Sequence, residues 1–203
     1  LDPQGQTVST SPTLSMHGAT LTMSGTYAVR VTGANSGQFA DAVVEVIVQE
    51  PARVDDVLGA LVAPGETAIL TVIASGTDPE IVWTRHGQFI NAGPQLVLSN
   101  VQLADAGAYE VTVSNAVTQP GASAQVNLRV LEPVQLTTPP QNQVVATGSN
   151  VDLAVHATGS ELAYTWSKDG QVLSSASAIS LNDIQRSQGG VYTVRVFNDL
   201  DLA

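Results

Sequence analysis

Apolar and polar residues alternate with a period of two along much of this chain. In TAILTVIAS (67–75) the residues Ala68, Leu70, Val72 and Ala74 share one face, and in NVDLAVHAT (150–158) Val151, Leu153, Val155 and Ala157 do the same. Successive strand side chains point to opposite faces, so the pattern predicts half-buried β-strands. YEVTV (109–113) and YTVRV (192–196) alternate likewise, and AQVNLRV (124–130) adds another strand. Gly, Pro, Asn and Ser punctuate the runs, and no long stretch carries a helical period. A strand with one apolar face needs a second layer to cover it. The expected architecture is therefore all-β, with two antiparallel sheets face to face.

The pattern repeats. Tyr27, Tyr109 and Tyr192 lie 82 and 83 residues apart, each two residues after a glycine (Gly25, Gly107, Gly190). Trp83 and Trp166 are 83 apart, as are Gly65 and Gly148, while Glu50-Pro51 and Glu132-Pro133 are 82 apart. Gly5-Gln6, Gly87-Gln88 and Gly170-Gln171 keep the same offsets, as do Leu14, Leu96 and Ile179. Agreement of many positions on one period marks repeated structural units. Residues 50–132 are expected to form one complete unit. Residues 1–49 match the later half of a unit, through ADAVVEVIV (40–48). Residues 133–203 match a unit as far as YTVRVF, without a closing strand. Either flanking repeats of a longer array supply the missing strands, or neighbouring copies of the chain do so by strand addition.

GETAILTVIASGTDPEIVW (65–83) resembles the second strand, loop and third strand of immunoglobulin superfamily domains, ending at their core tryptophan. DAGAYEV (105–111) resembles the tyrosine corner of that family, whose phenol bonds back to nearby backbone. GSNVDLAVHATGSELAYTW (148–166) and QGGVYTV (188–194) repeat both features. The likeness is nearest to intermediate-type domains, in a cysteine-free form as in bacterial surface proteins. It implies tandem immunoglobulin-like Greek-key β-sandwiches. The implied core is Trp83, Tyr109, Val72 and Val111 in the middle unit, Trp166, Tyr192, Val155 and Val194 in the third, and Tyr27 and Val29 in the first. The family's cysteine pair falls on Val72 with Val111, and on Val155 with Val194. A disulfide there contributes about 2–5 kcal/mol. Buried valines, at roughly 1.5–3 kcal/mol each, offset much of its loss. Asp105 aligns with Met23 and Gln188 and is expected to cap its own turn.

Charge then narrows the function. The 203 residues carry 18 acidic and 7 basic groups, for a net charge of −11, with Lys168 the only lysine. Such a surface repels polyanions, so no nucleic-acid partner is expected. No apolar run approaches the ~18 residues of a membrane span, so no membrane insertion is expected. LDPQGQTVST lacks the basic start and apolar core of a signal peptide, as a processed or excised chain would. Only 12% of residues are charged, and small polar residues supply solubility, which suits an extracellular or cell-surface location. Without cysteine there is neither disulfide nor thiolate chemistry.

Candidate chemistry is sparse. His17, His86 and His156 fall at unrelated places in the period, with no metal-ligand spacing and no nucleophile or zincin motif, so surface histidines are expected. Asp55-Asp56 and the Asp199, Asp201 pair fall short of the 6–8 oxygens that calcium takes. Lys168 aligns with Arg85, which rules out a repeated lysine cross-link. No catalytic residue, metal or cofactor is expected, and the chain reads as no enzyme. Tyr164, two before Trp166, is expected to face the same way. Phe39, Asn115 and Phe197 mark loops between the last two strands, a place where the family binds partners. The expected role is a structural rod or surface fibre, stiffened by the short junctions VIVQEPARV (46–54) and LRVLEPVQL (128–136) and open to polymerisation by strand complementation. Its partners would be other copies of itself or flanking repeats. The alternatives are an adhesin whose loops bind a protein or glycan on a host or neighbouring cell, and an accessory module of a larger extracellular enzyme. An intracellular muscle-type array would be richer in lysine and ranks below these.

Overall fold

The computed structural model describes residues 1–202. The chain enters through an antiparallel hairpin, β1 (Gly25–Thr32) and β2 (Phe39–Val46), in which Tyr27 faces Val44 and Arg30 faces Asp41. Eight strands follow in the middle unit: β3 (Arg53–Leu58), β4 (Ala60–Val62), β5 (Ala68–Ser75), β6 (Glu80–Arg85), β7 (Gln88–Ala92), β8 (Gln95–Leu98), β9 (Gly107–Asn115) and β10 (Thr118–Val130). The third unit holds β11 (Gln135–Thr138), β12 (Val151–Ala154), β13 (His156–Thr158), β14 (Ala163–Lys168), β15 (Gln171–Ser174), β16 (Ala178–Leu181) and β17 (Tyr192–Phe197).

The middle unit is a sandwich of β3-β5-β8 against β4-β10-β9-β6-β7. Alternation decides which side chains meet. Ala68, Leu70 and Val72 of β5 are buried, and Trp83 lies opposite Val111 on the neighbouring strand of the facing sheet. Tyr109, Val113, Val126 and Leu128 complete one contiguous core with them. β10 holds the sheet together by pairing antiparallel with β9 and parallel with β4, Val126 facing Tyr109 and Leu128 facing Ala60. Gly107 has φ +128°, Gly25 +139° and Gly190 +142°. Only glycine takes that backbone conformation cheaply, which explains the Gly-x-Tyr spacing of all three repeats.

In the third unit β15-β14-β17 lies over β12-β16, with β11-β13 alongside. Val155, Trp166 and Ile179 are buried, and Leu153, Tyr164, Tyr192 and Val194 pack partly buried against them. This core is smaller because one side is open. Among the described residues β17 has β14 on one edge and no strand on the other. Gln143–Val145, which aligns with β4, forms no strand, and Val144 is fully exposed.

The first segment departs from expectation at Val29. Tyr27 is buried, but Val29 is 50% exposed, as are its neighbours Val31 and Val44 to a greater degree. No sheet faces this hairpin among the described residues. Leu1, Val8 and Leu14 fold over the Tyr27 end alone, around a cleft of about 230 Å³.

The two tryptophans differ in one bond. Trp83 Nε1 donates to the Gly93 carbonyl at 2.9 Å, whereas buried Trp166 Nε1 has no partner. Trp83→Phe removes a made bond, while Trp166→Phe removes a donor already desolvated without return. Trp166→Phe is therefore expected to cost less than Trp83→Phe by about 1–3 kcal/mol. Urea unfolding with hydrogen exchange read separately in each unit checks this; equal losses would refute it.

Candidate functional site

Three features set what the molecule can do, and the first two recur by period. The first is the tyrosine corner. Tyr27 Oη donates to Met23 O at 2.9 Å, Tyr109 Oη to Asp105 O at 2.9 Å, and Tyr192 Oη to Gln188 O at 2.8 Å. Each acceptor ends a short 3₁₀ turn. Asp105 caps that turn by accepting the Gln102 N–H at 2.8 Å, and Gln188 does the same for Gln185 at 2.8 Å. An amide oxygen thus replaces the carboxylate, while the Met23 side chain has no oxygen to offer. Arg85 lies 5.0 Å over the Tyr109 ring and Lys168 5.9 Å over that of Tyr192. Burial pushes the Tyr109 phenol above its usual range, with Arg85 opposing and Asp105 adding to the shift. Asp169 bonds Lys168 at 2.6 Å and raises its ammonium pKa. These contacts hold turns.

The second feature is the junction. Asn115 Nδ2 donates to Glu50 O at 2.7 Å and to Thr77 O at 2.9 Å, and its Oδ1 accepts Val117 N at 3.2 Å. Thr77 Oγ1 accepts Glu50 N at 2.8 Å. The next junction copies this set: Asn198 Nδ2 donates to Glu132 O and Ser160 O, both at 2.9 Å, and Ser160 Oγ accepts Glu132 N at 2.9 Å. Both backbone groups of each junction glutamate are therefore pinned just before proline. Asn115, expected in a partner-binding loop, is only 7% exposed and spends its whole amide inside the fold. Arg129, near the end of β10, reaches into the third unit to Asp199 at 2.6 Å and to Glu161. The aligned residues at the first junction are Ile47, Ala116 and Asp78, which form no such pair. Sequence reading missed Asn198, Thr77, Ser160 and Arg129, although the 83-residue spacing of the first three was there to be found.

The third feature is the open edge of the third unit. A cleft of about 570 Å³ runs between Pro140–Thr147 and the Tyr192 side of β17, floored by Val151, Leu153, Trp166 and Leu181. In the middle unit β10 fills the corresponding place.

The remaining candidate residues stay apart. Phe39 begins β2, 61% exposed, with the Arg30 guanidinium 4.3 Å above its ring. Arg30 also bonds Asp41 through two contacts of 2.8 Å, which lowers the Asp41 pKa and raises that of Arg30. Phe197 ends β17, half-buried, beneath Arg195 at 5.0 Å. Both phenylalanines thus sit at strand ends, beside the loops. His17, His86 and His156 are exposed, and no group of three His, Asp, Glu or Cys side chains converges among the described residues. Asp55 accepts from Ser75, Asp56 from its neighbour Val57 N, and Asp201 from Asn198 N. No described helix is long and apolar enough to cross a membrane.

Comparison with known proteins decides the family. The immunoglobulin I-set domain model matches residues 56–130, and the immunoglobulin domain model matches residues 133–198, between them well over half of the chain. The chain belongs to the immunoglobulin superfamily. Its immunoglobulin-like units are 36% identical to hemicentin-1 of Homo sapiens over 110 residues, which is 48% of this chain and 2% of that protein. Hemicentin-2 of Mus musculus is 36% identical over 122 residues, 56% of this chain and 2% of its own length. Protein sidekick-1 of Mus musculus is 29% identical over 133 residues, 58% of this chain and 6% of its own. The chain thus spans a few per cent of these relatives. Among solved structures, sidekick-1 immunoglobulin domains 1–5 superpose with TM-score 0.61 at 18% identity, over 89% of this chain and 45% of that one. Titin domains I67–I69 give 0.53 at 20% identity, over 89% and 72%. These superpositions show a tandem immunoglobulin-like fold. The relatives are animal proteins and lend no support to the bacterial kinship expected from the sequence.

Proposed function

We propose that this chain is a structural segment of an extracellular or cell-surface tandem immunoglobulin-like protein, serving as a semi-rigid spacer. The observation that carries this reading is the pinned junction, in which a buried asparagine and a hydroxyl fix both backbone groups of the glutamate before proline. A linker so bonded has little freedom to bend, and successive sandwiches keep a narrow range of angles. The low charge content and the absence of cysteine agree with an exposed architectural role and with no catalytic one.

Arg129 is the residue that stiffens the second junction specifically. Exposed ion pairs are individually weak and are screened by salt. Between two units that share few other contacts, however, two carboxylates on one guanidinium select an angle. Spin labels on the middle and third units are expected to give a broader distance distribution for Arg129→Ala and for the parent chain at high salt. Labels across the first junction should not respond. An unchanged distribution across the second junction would remove this part of the reading.

The open edge of β17 supports a second element, complementation by an added strand. The exposed Phe39 with Arg30 favours the adhesive alternative, a protein or glycan ligand held on the hairpin face.

A further inference from the structure

We infer that Glu161 is the positioning residue of the second junction, held in a strained backbone conformation so that its carboxylate fixes the angle between the middle and third units; this rests on the reading of Arg129 above. The turn that carries Glu161 is pinned by the junction itself. Ser160 N donates to Glu132 O at 3.2 Å, Ser160 Oγ accepts Glu132 N, and Ser160 O accepts Asn198 Nδ2. Thr77 is held in the same way by Glu50 and Asn115. The residue after each pinned hydroxyl then takes the left-handed region, Asp78 at φ +43° and Glu161 at φ +50°.

That region is unfavourable for any residue with a Cβ, and Asp, Asn and His tolerate it best. Among the described residues six non-glycine positions have positive φ, and they fall at three turn positions that each occur twice: Asp78 and Glu161, His86 and Asp169, Asn100 and Asp183. Five of the six are of the tolerant types. Glu161 alone is not. The turn itself does not call for glutamate, since aspartate serves at the aligned place in the middle unit.

What glutamate adds is reach across the junction. Arg129 Nη2 donates to Glu161 Oε2, while Nη1 donates to Asp199 Oδ2 at 2.6 Å. With Asp199 alone the guanidinium would pivot about one bond. Two carboxylates from separate loops fix its plane, and with it the direction in which the third unit lies. The three residues also change together between junctions. Where the second has Arg129, Glu161 and Asp199, the first has Ile47, Asp78 and Ala116, so aspartate returns where there is no guanidinium to meet. All three side chains at the second junction are between 42% and 60% exposed, so the cluster adds little to stability. Its effect is on orientation. Strain that a common substitution would relieve, kept beside a contact between units, is accounted for by that contact.

Two substitutions separate strain from reach. Because the chain has no cysteine, spin labels at Gln95→Cys and Gln171→Cys, both exposed, report the middle-to-third distance without interference. Glu161→Gly relieves the backbone and removes the carboxylate. The unfolding equilibrium constant of the third unit, from urea titration with hydrogen exchange, should fall about two- to fivefold. In the same variant the distance distribution should widen about 1.5- to twofold. Glu161→Asp suits the turn and keeps the charge but is about 1.5 Å shorter, so it should widen the distribution to a similar extent without lowering stability. A residue that served only its own turn would do the reverse, lowering stability and leaving the distribution alone. Destabilisation of the third unit by Glu161→Gly overturns the proposal, because the position is then not strained. So does a Glu161→Asp distribution as narrow as that of the parent chain, because reach is then not what glutamate supplies. If Arg129→Ala broadens the distribution while neither Glu161 variant does, Asp199 alone sets the angle; this proposal falls and the Arg129 reading stands. If none of the three broadens it, the Arg129 reading falls as well.

Discussion

Trp83→Ala is expected to destabilise the middle sandwich by roughly 3–5 kcal/mol, a large part of what a domain of this size holds. Trp83 is fully buried, lies opposite Val111 and anchors Gly93 through its indole N–H. Its removal leaves a cavity between sheets that no disulfide ties together, since the chain has no cysteine. The cores of the middle and third units are separate clusters, so the loss should stay local. Urea unfolding followed by circular dichroism should show an earlier first transition, while Trp166 fluorescence reports a third unit melting as before. A change below about 1 kcal/mol, the scale of a surface substitution, would show that aliphatic contact between the sheets is not what holds the unit.

Asn115→Ala is expected to cost about 2–4 kcal/mol, because the Thr77 carbonyl loses its side-chain donor, the Glu50 carbonyl keeps only the Thr77 N–H, and the Val117 N–H loses its acceptor. Asn198→Ala should act in the same way on the third unit through Glu132 and Ser160. The effect should exceed that of an ordinary loop asparagine, whose amide would turn to water. Amide exchange at Thr77 and Val117 should quicken in Asn115→Ala, and spin labels across the first junction should spread. If stability changes by only a few tenths and exchange is unaltered, Asn115 is a solvated loop residue and the junction owes its stiffness to proline alone.

These two residues show how legible the site was. The position of Asn115 just after a strand was readable, but a loop asparagine and a buried clamp look alike in one dimension. Its copy at Asn198, 83 residues further on and at the same 38-residue offset from a hydroxyl residue (Thr77, Ser160), was the available signal, since a solvated residue has no reason to keep that offset. Arg129 had no such signal, because its carboxylates lie 32 and 70 residues further along the chain and meet it only when two sandwiches are set end to end. Phe39 and Phe197 were placed at the right end of the unit, in or beside its loops. Pairing with Thr32 and Ala163 makes them the terminal residues of strands beside those loops.

The sequence by itself determined the strands, the faces they bury, the period and the tyrosine corners. Each of these depends on alternation, on a glycine at positive φ or on a hydrogen bond spanning four residues, all local matters. Only the tertiary structure decided whether a face with the right pattern is covered. Val111 and Val29 occupy the same place in the period, yet Val111 is sealed by a facing sheet while Val29 is half in solvent. Burial belongs to the pair of surfaces that meet, and a strand's pattern specifies only its own half of that contact.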